Sequence, residues 1–570
     1  MFVANDKHRQ LHMFSSITSL PQDELNFLEQ SWAATFYHEV FCRIDEQIFA
    51  VLYSDKPSRP NVPVNILVAL EILKAGFDWS DEQLIQNFYF NLQVRYALGL
   101  RNLGDEHFDL RTLYNFRQRL SEHMQQTGEN LIERVFESLS EEQCAAMGLR
   151  TGQIRMDSTY VASNIRRYSR LHLLVEVIQR VHRMLSELDQ ARYAADFADY
   201  VRGSAGQYVY RVRSEEGEAH MRRIGELMER LIVELAGQYS EQPVYQMLVR
   251  VFGEHFTVTG GRLRLKTGRE LSASSLNSPD DVEATFRRKN QTEHVGYVAN
   301  LTETCDRDNP LQLIVKVQTE ANVTDDTSLL AAALPDLKQR LAVEEVYTDG
   351  GYNNELTGQL MAELGVNHLQ SALRGHSAAG LSLHVFQVET GADGLPESMT
   401  CPQGQLAQVV SRPGGRFIAA FAAQHCATCP ERGRCPTELL KSQPWRKLYF
   451  RAYDLEIARR RQRLAQDGET IRRIRLVIES TIAAVKRPFH FGKLPVRGKF
   501  RVACLLVGSA AMTNLRRIHR YLRAKATENP EKPTGGWMVV AQQIPLLSFF
   551  RRFKQLFHRP PDYRTYAGAA

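Results

Sequence analysis

The order of strand and helix patterns between residues 151 and 370 limits the fold more than any other feature of the sequence. GQIRMDSTYVASN alternates like a β-strand and carries Asp157. HVGYVANLTETC and LQLIVKVQTE predict a hairpin, and DDTSLLAAALPDLKQRL predicts a helix. EEVYTD and GVNHLQSAL predict two further strands joined by a second helix. Antiparallel strands followed by crossover helices indicate an α/β protein with a mixed sheet.

Asp349 stands directly between the strand EEVY and two glycines, in the stretch EEVYTDGGYNNE. One interpretation is that its side chain caps a tight turn. The other is that its carboxylate lies at the carboxyl end of a parallel strand, where open α/β sheets place their chemistry. The strand order is that of a ribonuclease-H-like core, in which the first and fourth strands are neighbours. Asp157 and Asp349 would then lie close enough to share divalent metal ions.

A long basic helix, predicted from about Tyr453 to Lys486, supplies a third carboxylate. Glu479 is the only acidic residue in its segment IRRIRLVIESTIAAVKRPFHFGK. We expect it on an apolar stripe formed by Ile474, Val477 and Ile482. A carboxylate there is costly unless it is paired or metal-bound. The alternative is an ordinary ion pair with Arg475, one helical turn earlier.

The charge distribution favours a phosphate-rich partner. The whole chain has 71 Lys and Arg against 65 Asp and Glu, but residues 451–525 contain 19 Lys and Arg against 5 Asp and Glu. Such a local excess beside a carboxylate cluster attracts a polyanion. Nucleic acid with bound Mg²⁺ satisfies both signs of charge.

The first 148 residues predict a helical domain. VNILVALEILKAGF has helical periodicity, and WSDEQLIQNFYF begins with a capping box of Ser80 and Gln83. DLRTLYNFRQRL predicts a short helix capped by Thr112, with Arg117 and Arg119 pointing outward. Exposed arginines on a compact helical domain fit DNA binding, although a solvated helix surface has the same pattern.

These motifs resemble those of bacterial insertion-sequence DDE transposases. The branch concerned has a helical N-terminal DNA-binding domain and a ribonuclease-H-like (retroviral-integrase-type) catalytic core. The resemblance rests on VNILVALEILKAGFDWSDEQLIQNF and TLYNFRQRL, then on MDSTYVASN, VYTDGGYNN and RLVIESTIAAVK. The family's last motif is Tyr-x2-Arg-x3-Glu-x6-Lys. Arg475, Glu479 and Lys486 have this spacing, but Arg472 replaces the tyrosine.

The resemblance implies a metal-dependent DNA transposase. Asp157, Asp349 and Glu479 would hold two Mg²⁺ (or Mn²⁺) ions for phosphoryl transfer, with no covalent enzyme intermediate. Arg475 and Lys486 would bind phosphates near the scissile bond, and Arg472 leaves a further phosphate contact. The partner would be double-stranded DNA, at the element ends and at the target, bound by a homodimer.

A cysteine cluster indicates a second metal. Half of the eight cysteines, Cys401, Cys426, Cys429 and Cys435, fall within 35 positions. Their spacing resembles a structural Zn²⁺ site, in which His425 is an alternative ligand. Four thiols without metal are the other interpretation.

The predicted domain boundaries follow from these patterns. The helical domain spans residues 1–148. The catalytic core is built from three segments, 149–170, 257–375 and 446–525. The insertions are a helical one at 171–256 and a Cys-rich one at 376–445, and a basic tail occupies 526–570.

The sequence begins without a secretory signal, and its longest apolar run is too short to cross a bilayer. We therefore expect a cytoplasmic, nucleoid-associated protein. Two alternatives to transposition remain open: a DNA nuclease on the same core without strand transfer, and a DNA-binding protein whose catalysis has decayed. A zinc-dependent hydrolase is disfavoured, because the cysteines lack an accompanying His-Glu signature.

Overall fold

The computed structural model describes residues 1–10, 15–54, 56, 60–289, 291–373, 380–392, 394–439 and 444–528. Most of the predicted basic tail, residues 529–570, therefore lies outside the described residues. None of the helices within the described ranges is both long and apolar enough to cross a membrane.

Seven α-helices are described in the N-terminal region: α1 (Gln22–Glu29), α2 (Trp32–Glu39), α3 (Val64–Phe77), α4 (Asp81–Phe90), α5 (Leu92–Ala97), α6 (Leu110–Thr127) and α7 (Leu131–Ala146). The predicted capping box is confirmed at the start of α4, where Ser80 and Gln83 each accept the other's backbone N–H. The predicted cap of α6 is wrong. Asp109, and not Thr112, accepts the backbone N–H of Arg111, so the helix starts earlier than expected.

Strand β1 (Gln153–Val161) begins the central sheet and is followed by the helical insertion. This insertion contains α8 (Arg170–Met184), α9 (Glu187–Arg192), α10 (Ala194–Phe197), α11 (Ala205–Arg211), α12 (Gly217–Tyr239) and α13 (Pro243–His255), and it is followed by the hairpin of β2 (Phe256–Thr259) and β3 (Arg262–Leu265). Its helices bury a hydrophobic core of their own, in which Leu174, Met228 and Leu248 are fully enclosed.

The chain then returns to the central sheet through β4 (Thr285–Lys289), β5 (Thr292–Thr304), β6 (Ile314–Ala321), α14 (Asp326–Leu341), β7 (Glu345–Thr348), α15 (Glu355–Glu363) and β8 (Asn367–Gln370). The strand order is β6-β5-β1-β7-β8, with β4 beside the first residues of β5. β1 is antiparallel to β5 and parallel to β7, and β7 is parallel to β8. The predicted hairpin and the predicted order of strands and helices are confirmed.

A second sheet follows, which the sequence analysis did not predict. Its strands are β9 (Gln387–Thr390), β10 (Pro396–Thr400), β11 (Leu406–Arg412), β12 (Arg416–Ala422), β13 (Glu438–Leu439) and β14 (Trp445–Arg451), with the short helix α16 (Ala423–Ala427) after β12. The strands that pair are antiparallel throughout the described part of this sheet. The sheet covers a small core around Met399, Phe417 and Phe450.

Two long helices close the described chain, α17 (Ala452–Lys486) and α18 (Lys499–Glu528). The predicted basic helix is thus confirmed as α17. One face of the central sheet packs with α17, α18 and the N-terminal helices into the largest core, and the other face packs against α14 and α15. Asn514 of α18 hydrogen-bonds both the N–H and the carbonyl of Ile314, which satisfies backbone groups of edge strand β6.

Candidate active site

The two predicted aspartates lie on adjacent parallel strands of the central sheet. Arg155 of β1 pairs with Tyr347 of β7. Extending this register by two residues aligns Asp157 with Asp349, which directly follows β7. The carboxylate of Asp349 also accepts the backbone N–H of Gly351 at 2.6 Å. Asp349 therefore caps its turn and stands beside Asp157, so the two interpretations of this residue are compatible.

Helix α17 adds the third carboxylate through a shared arginine. The guanidinium of Arg475 donates to Asp157 at 2.6 Å and to Glu479 at 2.9 Å. The ion pair between Arg475 and Glu479 that was the simpler alternative is thus present. The same arginine also reaches the sheet, so one cation joins the acidic residues of β1 and α17. We call Asp157, Asp349 and Glu479 the acidic triad.

The charges of the triad influence one another. Burial raises the pKa of Asp157; Arg475 opposes that rise, and the carboxylate of Asp349 adds to it. Burial alone would lower the pKa of Arg475. The three carboxylates outweigh burial and raise the pKa of this arginine, with Asp157 contributing most. The site therefore concentrates negative charge around a single cation, which favours binding of further cations.

The expected apolar setting of Glu479 is wrong. Its side chain is 57% exposed, and Val477, expected on the same buried stripe, is 48% exposed. The buried face of α17 instead runs through Ile471, Ile478 and Val485. Glu479 projects from the edge of that face, where Arg475 neutralises it. Its carboxylate is consequently accessible to solvent and to a ligand.

Lys486 is the last residue of α17 and lies against β1, the strand that carries Asp157. Its ammonium group donates to the hydroxyl of Thr159 at 3.2 Å and to the carbonyl of Tyr160 at 2.9 Å. Burial lowers the pKa of Lys486. Since Thr159 is two residues after Asp157, both side chains belong to the face of β1 that α17 covers. Arg475 and Lys486 of α17 thus contact two successive side chains, Asp157 and Thr159, on one face of β1.

Glu303 of β5 holds α17 against the sheet, a role that the sequence analysis missed. Its fully buried carboxylate accepts hydrogen bonds from Arg155 at 2.7 Å and from Arg517 of α18 at 2.8 Å. The hydroxyl of Thr481 on α17 lies 2.9 Å from both carboxylate oxygens. Arg155 also donates to the carbonyl of Ile474 at 3.0 Å, one residue before Arg475. This buried network sets the position of α17, and with it the triad.

The donor atoms of the triad suit a hard divalent cation, because all are carboxylate oxygens. In the part of the chain that is described, no group of three His, Cys, Asp or Glu side chains is arranged as ligands of one metal ion. At the triad, the contacts with Asp157 and Glu479 are taken by Arg475. The Nε of this arginine is buried and has no hydrogen-bond partner among the described residues.

Two family models match separate parts of the chain. One, described as a transposase DDE domain, matches residues 400–519, and one described as a transposase domain (DUF772) matches residues 27–119. Both matches indicate an insertion-sequence DDE transposase. The first match contains α17 with Glu479, whereas Asp157 and Asp349 lie outside both matches. No curated protein matches the chain.

The family has consequences for the partner and the cofactor. DDE transposases act on DNA and generally use divalent metal ions such as Mg²⁺. The second match covers α2 to α5 and most of α6, which places the N-terminal helices of the transposase within a family domain of their own.

The predicted outward position of Arg117 is wrong. Its guanidinium donates to Glu71 at 2.7 Å and to both carboxylate oxygens of Asp81 at 2.7 and 2.9 Å. These bonds join α3, α4 and α6, so Arg117 is an internal tie of the N-terminal helices. Arg119 is exposed as expected, with its guanidinium 5.1 Å from the ring centroid of Tyr53. Arg472 of α17 is exposed as well.

The cysteine cluster of the transposase lines one cavity beside the second sheet. Cys401, Cys426, Cys429 and Cys435 surround a volume of about 240 Å³, together with His425. All four cysteines are free and partly buried. Burial raises the pKa of Cys426, and the other three thiols lie near enough to add to the rise. Their side chains are grouped, but among the described residues no three of them are arranged as ligands of one metal ion.

Proposed function

We propose that this transposase cleaves DNA at the ends of its insertion sequence and transfers the cut strands into target DNA. The observation that carries the proposal is the acidic triad, assembled from two adjacent parallel strands and one helix by Arg475. Three carboxylates at the carboxyl edge of a mixed sheet are the arrangement that metal-assisted phosphoryl transfer requires.

The strand order supports a ribonuclease-H-like core. Three antiparallel strands, β6, β5 and β1, are followed by two parallel strands, β7 and β8, each reached through a helix. We assign the core to the segments 149–170, 257–375 and 446–525. The helical insertion at 171–256 and the Cys-rich insertion at 376–445 interrupt it.

Asp157, Asp349 and Glu479 would hold two Mg²⁺ or Mn²⁺ ions, which their oxygen donors and mutual repulsion favour. Bound there, divalent cations polarise phosphate oxygens and stabilise the charge that develops on the leaving oxygen. The residues of this chain orient the reactants: water attacks first, and the DNA 3′-hydroxyl that cleavage releases attacks later. No covalent enzyme intermediate is required.

The basic side chains beside the triad would bind the DNA backbone. On α17, Arg475 precedes Glu479 and Lys486 follows it, and both cations contact β1. Arg472 is exposed one turn before Arg475. Guanidinium groups bind phosphate in bidentate geometry and ammonium groups bind it as point charges. In the N-terminal domain, 1–148, the exposed Arg119 remains a proposed DNA contact. Arg117 is no longer one, because its guanidinium group joins α3, α4 and α6 inside the domain.

Handling two DNA ends in one reaction favours a homodimer on double-stranded DNA, in a cytoplasmic, nucleoid-associated complex. The alternatives are a nuclease without strand transfer and a DNA-binding protein without catalysis. The exposed carboxylate of Glu479, held toward Asp157, favours an active enzyme over the second alternative.

A comparison of two glutamates on α17 tests the proposal. Glu479 and Glu469 are both exposed and both form an ion pair one helical turn away, Glu479 with Arg475 and Glu469 with Arg473. Glu479→Gln should abolish Mg²⁺-dependent cleavage of DNA carrying the element's own ends. Glu469→Gln should leave it unchanged.

The outcomes separate the alternatives. Cleavage that survives Glu479→Gln would show that the triad is wrong. Cleavage by the wild type without joining to target DNA would identify the nuclease. Sequence-specific binding without cleavage by any variant would identify the DNA-binding protein.

We also propose that the cysteine cluster binds a structural Zn²⁺ ion that braces the second sheet. The support is that four thiols line one cavity, one directly after β10, one in α16 and two in the segment that follows α16, and thiolates are the preferred ligands of zinc. Wild-type protein and Cys42→Ser, which alters a cysteine outside the cluster, should contain one zinc per chain by atomic emission. Cys429→Ser should lose it. Purified wild type without zinc, or Cys429→Ser with a full complement, would contradict this assignment.

A further inference from the structure

The loop between α17 and α18 presents an aromatic ring in an unusual backbone conformation. Phe491 is 94% exposed, and its backbone has φ 51° and ψ 24°, in the left-handed region. A bulky side chain adopts this region only where the surrounding structure imposes it. Burial does not explain the conformation, because the ring contributes almost nothing to the core.

The loop itself is firmly attached to the sheet. Phe489 and Leu494, on either side of the ring, are buried in the main core. The N–H of Leu494 donates to the carbonyl of Ala162 at 2.9 Å, and the N–H of Asn164 donates to the carbonyl of Val496 at 2.8 Å. These bonds hold the segment that follows Phe491 against the chain just beyond β1. Phe491 is thus an exposed side chain on a loop that is anchored to the core by its neighbours Phe489 and Leu494.

The surroundings of the ring are cationic and adjoin the triad. The next residue, Gly492, is so close to Lys486 that a Cβ there would lie 3.1 Å from the lysine Cε. Lys486 in turn contacts β1 two residues beyond Asp157. The ring of His490 meets the ring of Phe491 edge-on, at an interplanar angle of 60° with centroids 4.1 Å apart, and Lys493 is exposed. Burial raises the pKa of the nearby Asp78 carboxyl, and the charge of His490 opposes that rise.

We propose that Phe491 stacks on an unpaired DNA base next to the scissile phosphate. The proposal rests on the function proposed above, which brings cut or frayed DNA ends to the triad. The surrounding positive charge selects a polyanion, and every base offers a flat face to an aromatic ring. A solvent-exposed ring on an anchored loop, beside the cationic side chains of Lys486 and Lys493, is what stacking on a base needs. Lys486 and Phe491 would thus hold the phosphate and the base of neighbouring nucleotides.

Fluorescence anisotropy with two DNA probes tests the stacking. One probe is a duplex carrying the element end, and the other is the same duplex with its terminal bases unpaired; both are measured in EDTA so that binding alone is observed. Phe491→Ala should weaken binding of the unpaired probe about 5- to 100-fold and change binding of the paired probe little. Phe491→Trp should restore it. Tyr210→Ala, which removes a similarly exposed ring in α11, should have no effect.

Two further readings complete the test. The slope of log K against log salt concentration should be the same for Phe491→Ala and wild type, because no charge is removed. Thermal unfolding should also be unchanged, because the ring is outside the core. Equal binding of the unpaired probe by wild type and Phe491→Ala would overturn the stacking. So would a change of oligomeric state in Phe491→Ala, which would show that the ring contacts a second protein chain. Either result leaves cleavage by the triad intact, so failure of the stacking is distinguishable from failure of the proposed function.

Discussion

Replacing Glu303 by glutamine should release α17 from the sheet. The Glu303 carboxylate has no solvent exposure and is bonded to Arg155, Arg517 and Thr481. Glutamine keeps the shape but removes the charge, and it turns an N–H donor toward groups that are donors themselves. Two charge-assisted hydrogen bonds are worth about 1.5–3 kcal/mol each, and breaking a buried ion pair costs about 3–5 kcal/mol. The buried guanidinium group of Arg155 and the partly buried one of Arg517 would also be left without their shared anion. We expect a loss of about 3–5 kcal/mol.

Hydrogen exchange is the appropriate assay, since it reports local opening in a chain of this size. A loss of 3 kcal/mol corresponds to exchange faster by roughly 100-fold or more, and it should appear in the amides of α17 between residues 471 and 485. Glu469→Gln is the matched control on the same helix, because its ion pair with Arg473 is exposed and worth under about 0.5 kcal/mol. Equal exchange in the two variants would refute the role assigned to Glu303.

Two further predictions concern the N-terminal helices. Although burial works in the other direction, hydrogen bonds from Arg117 and Lys74 lower the pKa of Asp81 to about 2. Asp81 therefore contributes roughly 2 kcal/mol of stability, which is present above about pH 4 and is lost as the pH falls through 2. In urea titrations, Asp81→Asn should be less stable than wild type at pH 6, and the difference should shrink to roughly a third of that value at pH 2.5. An equal difference at both pH values would contradict the pairing. Gly508→Ala should destabilise the packing of α18 on α3 by about 1–3 kcal/mol, because its Cβ would lie 2.7 Å from the Cβ of Ala75. Gly237→Ala in α12, where the added Cβ meets open space, should instead stabilise by about 0.5–1 kcal/mol. Both variants are compared with wild type in thermal melts, and destabilisation of both alike would refute the packing argument.

The elements of the central sheet could be predicted because each carries a local signal. β1, β5 and β6 show strand patterns, Ser80 and Gln83 form a capping box, and the turn after β7 is marked by glycines. These signals depend only on neighbours in the sequence. Together with the strand order expected for a ribonuclease-H-like core, they were sufficient to place Asp157 and Asp349 on adjacent strands.

The features that were missed depend on contacts between distant residues. Glu303 lies 148 residues from Arg155 and 178 from Thr481, so no local pattern identifies the network. The second sheet was missed because several of its strands bury few side chains. In β11, for example, Ala407 is the one fully buried residue, which leaves a weak alternation. Arg117 was placed outward because its helix phase alone does not reveal Glu71 and Asp81 on neighbouring helices.

The central claim, that the triad carboxylates are metal ligands for DNA cleavage, is tested most directly by changing the ligand atom. Asp349→Cys replaces a hard oxygen donor by a thiolate, which prefers softer ions than Mg²⁺. Cleavage of element-end DNA by this variant should be lost in Mg²⁺ and partly restored in Mn²⁺, while wild type is active in both. Full activity of Asp349→Cys in Mg²⁺ would contradict the account, because the carboxylate would then only cap its turn. Loss of activity without any recovery in Mn²⁺ would contradict direct coordination by residue 349.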